Sequence, residues 1–200
     1  MRKRIDIVLK PDWISYDDIH NLLFIAHENN RNNGFHVKTA DMDASSLEEH
    51  IGLDGECYVA LDGEKLVGVT AVRIVERNNR YSKGPVAAQI LSAIHPDYQG
   101  QGISSSFHER VIAFAKKFKL TQIEGRVASK NTKIQKALLK WGFRYVDFVT
   151  YSNIDHYTIV MLKWLDDTPI SDIKLKIHYI IKKIYVIFRF RPGKIKRFGI

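Results

Sequence analysis

Between Ile90 and Ser104 the chain reads Ile90-Leu-Ser-Ala-Ile-His-Pro-Asp-Tyr-Gln-Gly-Gln-Gly-Ile-Ser104, and this stretch has residue types and spacing that can do chemistry. Gly100 and Gly102 fall between a β-prone run ending at Ile94 and an amphipathic run opening at Ile103. A glycine-containing turn from strand to helix leaves several backbone N–H groups free at the positive end of the helix dipole, and that is a phosphate site. The alternative is a plain turn in which glycine supplies only a positive φ. The spacing is not GxGxxG, and no acid sits at a strand end about 20 positions later, which disfavours a dinucleotide fold. Cys57 opens an apolar run with no assigned histidine partner, so it reads as core rather than as a nucleophile. The His, Cys, Asp and Glu positions lack metal-ligand spacings such as His-x-x-x-His or Cys-x-x-Cys, so no metal site is expected.

These residues need elements to position them. Residues 5–9 alternate weakly as a first strand, and Pro11 breaks it. Ser15 with Asp18 predicts a capping box, followed by Ile19, Leu22, Leu23 and Ala26 at helical spacing. Residues 29–34 read as a polar loop. A second helix is expected with Ser45 as its cap, Glu48 at its third position and Gly52 after its end. Two β-rich runs, 57–61 and 66–74, flank Asp62-Gly63 as a hairpin, and residues 76–83 form a polar break before a strand over 86–94. Ile103, Phe107, Val111, Phe114 and Phe118 then mark one helix face. A strand over 122–128 follows, and Ile134, Ala137, Leu138 and Trp141 predict a short helix that Gly142 ends. Strands over 143–151 and 157–164 complete a mixed α/β sheet with helices on its faces, including a parallel pair joined by a helical crossover.

Composition narrows the class. With 45% hydrophobic and 26% charged residues over 200 positions, the chain can bury one ordinary core and is not a disordered or low-complexity protein. No run approaches the ~18 apolar residues of a spanning helix, and the basic N-terminus lacks the apolar core of a signal peptide. The single cysteine fits a reducing cytoplasm. Of 31 basic and 22 acidic residues, nine and one lie in 171–200, so that segment carries +8 of the net +9. The other 170 residues, at +1, give poor support to a nucleic-acid-binding surface. We therefore divide the chain into a domain over 1–166 and a basic amphipathic tail over 167–200. In the tail, Ile173, Ile177, Ile180, Ile181, Ile184, Ile187 and Phe188 recur at helical spacing among lysines. That pattern suits either an interfacial helix on an anionic membrane or a helix packed on the body or on a second subunit of a homodimer.

The glycine turn resembles the acetyl-CoA motif of the GCN5-related N-acetyltransferases, Arg/Gln-x-x-Gly-x-Gly/Ala after a strand ending hydrophobic-x-hydrophobic-x-Pro. Here it is Gln99-Gly-Gln-Gly102-Ile-Ser104 after Ser92-Ala-Ile94-His-Pro96. Asn131 with Gly142-Phe143 eleven residues on matches the family's helix, and the resemblance spans roughly residues 56–164. It implies a mostly antiparallel sheet splayed at the cofactor strand. It also implies that the amides of Gln99, Gly100, Gln101, Gly102, Ile103 and Ser104 hold the pyrophosphate of acetyl-CoA. Ser92, Ala93 and Ile94 would then pair with pantetheine and supply an oxyanion donor, while Asn131 would bond the pantetheine arm. Ser104 departs from the family's Gly or Ala but is small and can donate its hydroxyl. Where many members carry a tyrosine acid this chain has Leu138, and where some carry a glutamate base it has Arg126. Glu124, two residues earlier on the same strand face, and His95 are the candidate bases, with water as a third. Tyr145 or Tyr151 could reach the sulfur as an acid.

The resemblance implies an N-acyltransferase that moves an acetyl group to a primary amine of a small or carbohydrate-linked acceptor. A protein N-terminal or lysine acetyltransferase is one alternative, and a non-catalytic acyl-CoA-binding or regulatory module is another. The asparagine-rich loop with Arg31 and His36 falls where relatives form the acceptor wall; it suits a hydroxyl-rich acceptor or is simply a solvated loop. The tail would hold the enzyme at the inner face of the membrane.

Overall fold

The computed structural model describes residues 5–32, 37–150, 157–166 and 172–189. They belong to two compact units, 1–123 and 124–200. In the first, β1 (Asp6–Leu9), β2 (Gly55–Asp62), β3 (Lys65–Asn78) and β4 (Lys83–Ile94) run antiparallel in that spatial order. Tyr58 faces Thr70 across the first hairpin, and Val69 faces Ala93 across the second. The period-2 alternation sends Val59, Val69, Ala71, Leu91 and Ala93 to one face, where they pack with Ile19, Leu22 and Leu23 of α1 (Tyr16–Ala26) and Leu47 and Ile51 of α3 (Ala44–Ile51). Ala60 and Gly68 point to the other face, under Phe107 of α4 (Ile103–Lys117).

The second unit holds α5 (Thr132–Lys140), β6 (Arg144–Val149), β7 (Thr158–Trp164) and α6 (Asp172–Arg189), with all but the first two residues of β5 (Gln122–Ala128). Its strands lie in the order β5–β7–β6, and β6 and β7 are antiparallel with Tyr145 opposite Met161. The mixed α/β class and the mostly antiparallel strands are as the sequence predicts.

Ser15 and Asp18 form the reciprocal capping box, each side chain bonded to the other's backbone N–H. Four expectations are corrected. Residues Glu28–Asn32 form a helix, α2, rather than a loop: the Arg31 guanidinium donates to the Phe24 carbonyl at 2.6 Å and lies over its ring, while Asn30 bonds His27 at 2.9 Å. The cap of α3 is Asp43, whose carboxylate accepts the Ser46 amide at 2.8 Å; a carboxylate at the positive helix end outcompetes the hydroxyl of Ser45, which donates to Asp43 instead. The polar stretch before β4 continues the ladder, Asn78 pairing with Lys83, because Asn79 Oδ1 accepts the amides of Tyr81 and Ser82 and closes the turn. In α5 it is Gln135 and Leu138 that face inward, and Ile134 is exposed.

Candidate functional site

In the first unit, β4 ends in a short, heavily tied turn. Leu91 opposes Ala71 and Gln89 opposes Val72, so Ile90 is an extra residue that bulges the strand just before Ser92. Ser92 is exposed, Ala93 is buried and Ile94 is half-buried opposite Gly68. The backbone N–H of His95 donates to the Val67 carbonyl at 2.9 Å, extending the pairing by one residue. Pro96–Tyr98 is a single 3-10 turn, and His95 is its cap, Nδ1 accepting the Asp97 amide at 3.3 Å. Tyr98 donates its hydroxyl to Asp62 at 2.7 Å, which ties the turn to the β2–β3 hairpin. Gln99 Nε2 donates to the Ile94 carbonyl at 3.4 Å and Gln101 Nε2 to the Asp97 carbonyl at 3.2 Å.

This bracing presents an uncapped helix. Gly102 is the N-cap of α4 and has no side chain to bond the first turn. Its carbonyl takes the amides of Ser105 at 2.9 Å and Ser106 at 3.3 Å, so Ile103 and Ser104 lie ahead of the first intrahelical bonds. Gly100 and Gly102 have φ of +79° and +90°, and a Cβ at either would meet nothing within 4 Å. The turn is therefore open on the glycine side and leads into amides at a helix N-terminus, the arrangement an anion takes. Ile103 is buried and anchors the first turn in the core, leaving the small Ser104 side chain half-buried beside it. The residues present fit the pyrophosphate of a coenzyme A ester.

The second unit carries the remaining predicted residues. Glu124, 3% exposed, accepts from Arg126 Nε at 2.8 Å, so the two side chains offset each other's charge. Asn131 caps α5, its Oδ1 accepting the Ile134 amide at 3.2 Å. Leu138 is buried, with a methyl 3.5 Å from where a Cβ on Gly125 would stand, and it is a core residue. Tyr145 donates to Gln135 at 3.4 Å and stacks on Tyr179 with ring centres 4.4 Å apart. Burial raises the Tyr145 hydroxyl above its ordinary range. Tyr151 and His36 lie outside the described residues.

Gln135 is a residue that sequence reading missed. It donates to the carbonyls of Ala128 (3.2 Å) and Ser129 (2.9 Å), holding the end of β5 against the start of α5 where Asn131 sits. Its signal was slight: a glutamine one turn after a helix cap, on the side occupied by Leu138. Among the described residues, no group of three His, Cys, Asp or Glu side chains converges as a metal site would.

A strand, a braced glycine turn and an uncapped helix on a mixed, mostly antiparallel fold make an α/β protein with a site suited to a phosphate-bearing ligand. The acetyltransferase (GNAT) family model matches residues 16–143, and the chain belongs to that family. Solved structures agree on the fold. The ribosomal-protein-S18-alanine N-acetyltransferase from Escherichia coli superposes with a TM-score of 0.62 at 14% identity, covering 84% of this chain and 99% of that one. A GNAT family acetyltransferase from Elizabethkingia anophelis with acetyl-CoA bound gives 0.56 at 17%, covering 82% and 100%. An acetyltransferase from Streptococcus agalactiae gives 0.59 at 20%, covering 82% and 100%. No curated protein matches the chain.

Proposed function

We propose that the protein is an acetyl-CoA-dependent N-acetyltransferase whose acceptor is a primary amine on a small or carbohydrate-linked molecule at the inner face of the membrane. The observation that carries this reading is the uncapped α4 behind two open, positive-φ glycines. Those amides would hold the pyrophosphate, and the end of β4 at Ser92, Ala93 and Ile94 would hold the pantetheine arm. When bound, acetyl-CoA supplies an activated acyl group, and a neutral amine is the nucleophile. A backbone N–H near Ile94 is the donor for the charge that develops on the acyl oxygen. Holding amine and thioester together is worth of order 7–11 kcal/mol in favourable cases. A thiol with a pKa near ~8.5 leaves tolerably as its anion, so a core leucine at 138 does not preclude turnover.

Glu124 is the proton acceptor we favour. His95 fits the role less well: with Nδ1 accepting the Asp97 amide, the neutral ring carries its proton on Nε2 and its one lone pair is already used. Gly102→Asp tests the donor site, because it places a carboxylate in the cradle and a side chain at φ +90°. Titration calorimetry is expected to show acetyl-CoA binding lost while circular dichroism shows the fold retained; unchanged affinity would sink the assignment. The second reading, a non-catalytic acyl-CoA-binding module, is favoured by one observation, the Glu124–Arg126 pair that engages the candidate base. Amino sugars, polyamines and peptides incubated with acetyl-CoA, with free thiol as the readout, separate the two.

A further inference from the structure

We infer that α6 is a membrane-facing helix, seated on β6 by one side and offering the other to the surface of an anionic bilayer. The sequence left packing and membrane contact as alternatives. Within the second unit the helix does one with each face. Leu175 is 3% exposed, Tyr179 stacks on Tyr145 and lies 5.1 Å from the ring of Phe148, and Lys182 pairs with Asp147. At 3.6 residues per turn these three share one side. Ile177, Ile180, Ile181 and Ile184 share the opposite side and are 53%, 54%, 60% and 50% exposed. Four isoleucines turned to water in one stripe form an apolar surface that the described residues leave exposed.

The edges of the stripe identify its occupant. Lys174 stands three residues before Ile177 on one edge. Lys176 and Lys183 stand four before and three after Ile180 on the other, and all three lysines are exposed. Apolar side chains in the acyl boundary with ammonium groups at the headgroups on both flanks are what a helix lying in a bilayer interface requires. The charge agrees, since residues 171–200 hold nine basic side chains and one acid. The same charge argues against a second copy of this chain, because a two-fold contact through the stripe would bring two +8 segments together. No described helix is long and apolar enough to cross a membrane, so α6 would lie on the surface. This inference stands on α6 and β6 alone and does not depend on the acetyl-transfer reading.

Co-sedimentation of the full-length protein with vesicles tests it, using phosphatidylcholine alone and phosphatidylcholine with phosphatidylglycerol, at low and high salt. The variants are Ile180→Ser/Ile181→Ser for the stripe and Lys174→Glu/Lys183→Glu for its edges. All four positions are exposed, so circular dichroism should show the fold unchanged, and light scattering reports oligomeric state. The expected result is pelleting with the anionic vesicles only, weakened by salt. Loss of each lysine lowers the partition coefficient about fivefold and loss of the two isoleucines about tenfold or more. Full-length protein remaining in the supernatant with both vesicles overturns the proposal. So does binding that neither variant reduces, or a dimer that the isoleucine variant converts to monomer.

Discussion

Glu124 and His95 are the two side chains proposed as proton acceptors, and their bonding separates them. The Glu124 carboxylate is buried with the Arg126 guanidinium at 2.8 Å, whereas the free lone pair of His95 is spent on the Asp97 amide. Glu124→Gln is expected to lower kcat about a hundredfold with little change in KM for acetyl-CoA, while His95→Gln, which keeps an acceptor for that amide, stays within about tenfold of wild type. Steady-state kinetics checks both, and a near-wild-type Glu124→Gln would hand proton removal to water. The identity of a base is hard to read in a sequence because it depends on which lone pairs the neighbours leave free. Asn131 shows the same limit: its position was legible from its spacing to Gly142-Phe143, but the use of its Oδ1 as a helix cap was not. Leu138 was legible as core, and its burial against Gly125 explains why. Leu138→Tyr should therefore overpack that contact and cost about 1–3 kcal/mol in chemical denaturation rather than install a general acid.

At the scale of elements, the glycine turn before α4 depends on how closely α4 lies on the β2–β3 hairpin. A Cβ on Gly68 would stand 3.1 Å from the Ala60 Cβ and 3.2 Å from the Phe107 ring, and Gly68 is the ladder partner of Ile94. Gly68→Val would push Phe107 and the start of α4 outward. We expect a loss of about 1–3 kcal/mol in denaturant unfolding, together with weaker acetyl-CoA binding although residue 68 is not in the cradle. Elements with a strong local period were legible: the Ile103, Phe107, Val111, Phe114 face of α4, the Asp62-Gly63 hairpin and the Ser15 capping box. Those missed were decided by side-chain bonds that have no period. Arg31 on the Phe24 carbonyl makes α2, Asn79 on two amides closes the β3–β4 turn, and Asp43 displaces Ser45 as a cap. Phe118 fits the spacing of α4 but is 40% exposed, because Lys117 is the last helical residue and the chain turns away at the C-cap.

For the whole molecule, the ionisable groups with the clearest upward shifts are acids kept protonated by burial. Burial pushes the Cys57 thiol from an ordinary 9.0 to about 12, and the nearby Lys10 charge only partly opposes it. Burial, with neighbouring Tyr145 and Tyr157, takes Tyr179 from 10.0 to about 12. Tyr58 is raised as well, first by burial and then by its hydrogen bond to Glu56. Tyr16 and Tyr145 shift in the same direction, again chiefly through burial. A folded state that holds these protons more tightly than the unfolded chain is stabilised fully below the unfolded values and loses that contribution as pH rises toward the folded ones. The window therefore opens near pH 9.0 with Cys57, widens near 10.0 as the tyrosines join, and narrows at about 12 as Cys57 and Tyr179 titrate in the folded state, Tyr58 holding its proton longest. Cys57→Ala isolates the thiol. Its thermal midpoint is expected to fall less than that of wild type between pH 9 and 10, where only the cysteine of the unfolded chain has begun to titrate. The same burial should keep native Cys57 inert to iodoacetamide at pH 8, with full alkylation once the chain is unfolded. A midpoint unchanged up to pH 12, or rapid alkylation of the native protein, would show that the β2 strand opens to water and that the first unit is looser than its buried core implies.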